Sequence, residues 1–179
     1  FYTLGYLTSV TFESGSQVKT IGKSAFLLNI QLSSITIPAS VSSIGNDAFA
    51  TCRGLEKVTF EADSKLESIG DTAFFNNESL TSISIPPYVT SIGENAFKYS
   101  GLRTATINVD RLGVDWFPSA VGQDQSIGGK TGVTIIGYKT FSGPGVLTQQ
   151  MVTTELKGAV TVTIEGYTDI SGNAFKGVT

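Results

Sequence analysis

The chain contains no histidine and a single cysteine, Cys52. Without an imidazole there is no Ser-His-acid triad, no Cys-His pair and no histidine ligand for zinc. The commonest general base and the commonest transition-metal ligand are missing together. One thiol cannot build an internal disulfide framework or a Cys-rich metal site, and it leaves the redox compartment open. Charge is also scarce: 15% of residues are charged, the net charge is −3, and no block of like sign stands out. A nucleic-acid partner is not expected, because neutralising phosphates needs clustered Lys and Arg. No apolar run reaches the roughly 18 residues of a membrane span, and no charged-then-apolar leader opens the chain. A signal peptide removed earlier, or lying upstream, is compatible with this.

What the chain has in quantity is repetition. Val89–Phe97 (VTSIGENAF) recurs as Val41–Phe49 (VSSIGNDAF), Leu66–Phe74 (LESIGDTAF) and Val18–Phe26 (VKTIGKSAF). Looser copies are read at Val133–Phe141 (VTIIGYKTF) and Tyr167–Phe175 (YTDISGNAF). Phe26, Phe49, Phe74 and Phe97 lie 23, 25 and 23 residues apart, a period that suits one short supersecondary unit stacked on its neighbours. Phe1 to Leu7 repeats the Phe-to-Leu spacing of Phe26 to Leu32, and the motif completes again at Phe175. The chain is therefore read as a segment of a longer repeat protein.

Each phenylalanine is followed by a strand-like run: Leu7-x-x-Val10-x-Phe12, Leu32-x-x-Ile35-x-Ile37, Leu55-x-x-Val58-x-Phe60, Leu80-x-x-Ile83-x-Ile85 and Leu102-x-x-Ala105-x-Ile107. Period-2 alternation predicts one short strand per repeat. Stacking of coils at roughly 4.8 Å gives a parallel sheet over internal ladders of apolar side chains. Pro38 and Pro86-Pro87 are expected to end two strands, because proline cannot donate to a ladder. Glu13–Ser16 and Glu61–Ser64 are longer polar turns in the same place, expected as surface loops. Gly22, Gly45, Gly70 and Gly93 are expected at positive φ or where the backbone approaches the next coil closely. Ser24, Asp47, Thr72, Asn95 and Asn173 precede Ala-Phe or its equivalent and suit helix N-caps, which predicts a single helical or 3₁₀ turn there. Asn29, Cys52, Asn77 and Ser100 share a position three residues after each phenylalanine. They are expected to satisfy backbone groups in the turn, with Cys52 a small buried side chain rather than a reactive thiol.

The fold class that follows is an α/β repeat: a right-handed solenoid with one short parallel strand per 22–25-residue coil and short helical or 3₁₀ turns. Residues 1–107 hold the regular repeats. The period fails over 108–132, an irregular insertion, and 133–179 reads as degenerate repeats continuing the same solenoid. Long irregular segments in compact arrays are often functional.

The outward strand positions form two rows, Ser9, Ser34, Lys57, Ser82 and Thr104 beside Thr11, Thr36, Thr59, Ser84 and Thr106. Short hydroxyls on a broad sheet suit contact with a protein or glycan; threonine also simply suits a half-exposed strand. Trp116-Phe117 in the irregular segment is a candidate loop anchor for a ligand, or a cluster that packs the loop onto the coil. Asn77-Glu78-Ser79 fits a glycosylation sequon, but Asn77 occupies the buried turn position. Gly128-Gly129-Lys130-Thr131 lacks the first glycine of a phosphate loop, where Asp124 stands, so no cofactor is expected there. Asp110, Asp115 and Asp124 are too scattered for a calcium loop, and no metal site is expected.

The combination Leu-x-x-Ile-x-Ile-Pro with Val-x-x-Ile-Gly-x-x-Ala-Phe resembles the BspA-like, Treponema pallidum-type leucine-rich repeats of bacterial and some protist surface proteins. The match is close over 1–107 and loose over 133–179. The resemblance implies an extracellular or cell-surface adhesion module, sometimes bound to extracellular matrix proteins such as fibronectin or fibrinogen, and it brings no catalytic residues. The competing reading is a structural spacer of a larger surface protein, with no ligand of its own.

Overall fold

In a computed structural model of the chain, the described residues are 5–108 and, beyond them, the backbone of strands within 126–170. Over 5–108 the chain runs β1 (Ser9–Val10), β2 (Thr20–Ile21), β3 (Ser34–Ile37), β4 (Ser43–Ile44), β5 (Lys57–Phe60), β6 (Ser68–Ile69), β7 (Ser82–Ser84), β8 (Ser91–Ile92) and β9 (Thr104–Asn108). Odd and even strands stack separately, all in parallel, as a solenoid with two strands per coil. The even strands, carrying the Ile-Gly element, form one continuous sheet in the order β2-β4-β6-β8.

Alternation in the sequence becomes alternation in burial: along β3, Ser34 and Thr36 are exposed while Ile35 and Ile37 are buried. Inside, Leu32, Leu55, Leu80 and Leu102 stack in one ladder with Ile44 and Ile69 in another, all essentially inaccessible. The phenylalanines form a column. Phe26, Phe49, Phe74 and Phe97 lie ring over ring at centroid separations of 5.1, 5.2 and 5.3 Å, with planes within 8° of parallel. Such separations suit offset stacking of aromatic rings.

The Ala-Phe segment is a run of β-turns, and the described residues contain no helix. Ser24, Asp47, Thr72 and Asn95 have φ between 52° and 57°, in the left-handed region, whereas an N-cap residue sits in the β region. They occupy the third turn position, where a type II turn requires positive φ. Amide bonding then alternates residue by residue. The amides of Ala48, Ala50 and Cys52 donate within the turn to Gly45, Asp47 and Phe49, while those of Asp47, Phe49 and Thr51 donate to Asp71, Ala73 and Phe75 of the next coil. Half of the amides are thus spent on stacking, which a helical turn could not allow.

At Gly45, Gly70 and Gly93 the recurring glycine answers close approach, not positive φ, whereas Gly22 has open space around it. A Cβ on Gly70 would lie 2.7 Å from the Asn46 amide nitrogen and 2.8 Å from the Gly45 carbonyl carbon, in the coil before. Gly15 alone among the described glycines has positive φ, and its counterpart Asp63 shares it, each in one of the two longer turns. In both turns a serine hydroxyl, Ser16 or Ser64, accepts the amide of the residue two further on.

Past residue 108, β10 (Ser126–Ile127) and β11 (Lys130–Thr131) pair antiparallel, separated by Gly128 and Gly129. β12 (Thr134–Ser142) then adds in parallel to β9, and β14 (Val160–Glu165) to β12. β13 (Val146–Leu147) and β15 (Asp169–Ile170) pair with each other, repeating the long-strand, short-strand order. Val133–Phe141 is therefore not a copy of the turn motif: Phe141 lies in a nine-residue strand opposite Ile164. Lys139 stands where regular repeats carry Ser, Asp, Thr or Asn, residues at home in turns, and the surrounding Ile, Tyr, Thr and Phe favour extended chain.

Candidate functional site

The odd strands carry the candidate face. Their register sets Ser9, Ser34 and Lys57 side by side, then Ser82 beside Thr104, and likewise Thr36 beside Thr59 and Ser84 beside Thr106. Ser9, Thr11, Ser34, Thr36, Lys57, Ser82 and Ser84 are exposed, and Thr59, Thr104 and Thr106 half-buried. All ten therefore stand on the outer side. Trp116 and Phe117 lie outside the described residues.

The face is not continuous. β1, β3 and β5 form one sheet; β7 and β9 belong to another with β12 and β14, and no ladder joins β5 to β7. Proline placement contributes to this. The Glu61 amide donates to Ile37 of the preceding coil. The equivalent positions in the neighbouring coils are Pro38 and Pro86, which have no N–H to give to Phe12 and Phe60. The step into each Ile-Pro coil loses a rung: β1 and β3 pair over two residues, β3 and β5 over four, and β5 and β7 over none. Phe60, bulkier than the Ile37 and Ile85 of the coils beside it and only half-buried, sits at the same end. On the other side of the coil β6 still pairs with β8, and Phe74 still stacks on Phe49. The solenoid opens on its strand face alone.

The opening is a groove of about 650 Å³. Lys57, Thr59, Glu61 and Asp63 line one lip, and Ser82, Ser84, Pro86 and Tyr88 the other. A second hollow of about 610 Å³ shares Asp63 and Tyr88 and adds Lys65, Glu67 and Thr90. Tyr88 stands between them, 51% exposed. The Glu61 carboxylate accepts the Ala39 amide at 2.9 Å and so holds its loop against the coil before. Of these residues the sequence reading named Lys57, Thr59, Ser82 and Ser84 as outward strand positions, Glu61–Ser64 as a surface loop and Pro86 as a strand end; it named neither Tyr88 nor the groove. Its signal was the insertion Glu61–Ser64 facing Ile85-Pro86-Pro87, a mismatch between successive coils.

Behind the face, the shared turn position acts as read. Asn29 Nδ2 donates to the Phe26 carbonyl at 2.8 Å, Cys52 Sγ to the same carbonyl at 3.1 Å, Asn77 Nδ2 to Phe49 at 3.1 Å and Ser100 Oγ to Phe97 at 2.6 Å. All four residues are buried. Burial pushes the Cys52 thiol from its ordinary value near 9 up to about 11, a hydrogen bond with the Asn29 backbone opposing this only in part. A protonated, inaccessible thiol is chemically inert. Asn77 likewise commits its side-chain nitrogen to the interior, which closes the sequon. Among the described residues no group of three His, Cys, Asp or Glu is placed to hold a metal ion, and no helix is long and apolar enough to cross a membrane.

Among solved structures, a leucine rich cell surface protein from Faecalibacterium prausnitzii is 30% identical, over 60% of this chain and 34% of that one, with a TM-score of 0.46. The pneumococcal vaccine antigen PcpA is 19% identical over 94% of this chain and 44% of its own, with a TM-score of 0.44. The chain thus spans about a third to under a half of those proteins. No curated protein matches. The BspA type leucine rich repeat region, by contrast, matches residues 1–121 in six copies. With that match over more than half of the sequence, the chain belongs to the BspA-type leucine-rich repeat family.

Proposed function

We propose that this chain is a non-enzymatic recognition segment of an extracellular or cell-surface protein, and that it holds a macromolecular ligand, a protein or a glycan, against its strand face. The observation that carries this is the face itself: ten outward positions, nine of them Ser or Thr, on or beside the five odd strands either side of the β5–β7 seam. Short hydroxyls both donate and accept, and they lose little rotamer freedom when covered. Family membership supports the surface location, since BspA-type repeats are characteristic of surface proteins. Matrix proteins such as fibronectin and fibrinogen are the first candidates, because the resemblance implies them. A spacer without a ligand would leave the same face idle.

The test is binding of the 1–179 chain to immobilised matrix proteins beside the double variant Ser34→Glu with Thr36→Glu, both on β3 and clear of the groove. Binding that disappears in the folded variant supports the strand face. Binding unchanged by both carboxylates refutes it, and an inert wild-type chain favours the spacer.

A further inference from the structure

We propose that the groove between β5 and β7 is a binding site for a neutral oligosaccharide. The inference rests on the strand face being a recognition surface, and it assigns that surface a second, smaller ligand site. Its volume of about 650 Å³ lies within the ordinary range of small-ligand sites, roughly 300–1,000 Å³.

The lining decides the class of ligand. Tyr88 presents a half-exposed ring at the junction of two hollows, a platform for the apolar C–H face of a sugar. Ser82, Ser84 and Thr59 offer hydroxyls that both donate and accept, and Asp63 and Lys57 add an acceptor and a donor. That mixture matches a ligand made of hydroxyl groups. Both signs of charge are interspersed around the groove, Lys57 and Lys65 among Glu56, Glu61, Asp63 and Glu67; the acidic excess disfavours a polyanion, and the two lysines interrupt the field a polycation would need. An extended peptide would need a free strand edge with room for another backbone. Here β5 and β7 already approach each other as unpaired neighbours across the groove.

The experiment is calorimetric titration of the full 1–179 chain with neutral tetrasaccharides of glucose, mannose, galactose and N-acetylglucosamine, at about 50 and 500 mM NaCl. At least one should bind saturably with little change between the two salt concentrations, because no net charge is neutralised. Tyr88→Ala should weaken it about tenfold, the scale of one lost ring contact with its burial, while Tyr88→Phe retains it. Ser84→Glu, an exposed substitution that intrudes on the groove, should abolish it and serves if Tyr88→Ala fails to fold. Ser34→Glu with Thr36→Glu should leave sugar binding intact, so failure of the groove and failure of the wider face are read separately. No binding of any tetrasaccharide, binding equal in Ser84→Glu and wild type, or strongly salt-dependent capture of an oligolysine peptide instead would each overturn the proposal.

Discussion

Phe74 lies between Phe49 and Phe97 in the aromatic column and is fully buried. Phe74→Ala removes the ring from both stacks and leaves a cavity that neighbouring coils, held by amide bonds on either side, cannot close. Denaturant unfolding should show a loss of about 3–5 kcal/mol; a loss under about 1 kcal/mol would contradict the stacked column. Thr51 is the opposite case. It sits at φ 60° with a β-branched side chain, where the next coil has Asn76 at φ 57°. Thr51→Asn should raise stability by about 0.5–1 kcal/mol, since Asn tolerates this region at lower cost. Cys52 adds a pH dependence. Its folded thiol titrates near 11 and its unfolded thiol near 9, so above pH 9 the unfolded chain loses a proton that the folded chain keeps. Stability from this group is complete below pH 9 and declines towards pH 11. The stability advantage of wild type over Cys52→Ala should shrink across that interval in urea unfolding at stepped pH.

At the scale of the element, Pro86 explains part of the opening between β5 and β7. Pro86→Ala supplies an amide facing the Phe60 carbonyl, as Glu61 already faces Ile37. Hydrogen exchange should show a protected amide at position 86 in that variant, and rapid exchange there would refute the missing rung. The odd strands were legible, because period-2 alternation of inward Ile, Val and Phe with outward Ser, Thr and Lys fixes both strand and face; the even strands were not, since one strand per repeat was expected and their two residues show no alternation to read. The turn was read as helical for a physical reason: Ser, Asp and Asn cap helices and also tolerate left-handed φ, and residue type alone does not separate the two uses. Val133–Phe141 misled in the same way, keeping Ile and Gly of the motif while lacking the turn-forming residue before its last two positions. The groove was hidden because it follows from a difference between coils, Phe-Glu-Ala-Asp against Ile-Pro-Pro-Tyr, and not from any repeated position.

At the scale of the molecule, a solenoid is a one-dimensional stack in which each coil contacts only its neighbours. The even strands and the phenylalanine column bind the described coils without a break, so the odd-strand face tolerates both a seam and exposed polar rows. The stacking function is carried by one side and contact with a ligand is left to the other. The most direct test of that division compares two variants with the same change in net charge. Ser34→Glu with Thr36→Glu places two carboxylates on the strand face; Lys23→Glu makes an equal change of −2 at the exposed turn edge. Binding of each to a matrix protein that captures the wild-type chain should be lost in the first and kept in the second. Equal loss in both would mean that overall charge governs attachment, and loss only in Lys23→Glu would place the contact on the turn edge, contradicting the strand-face account.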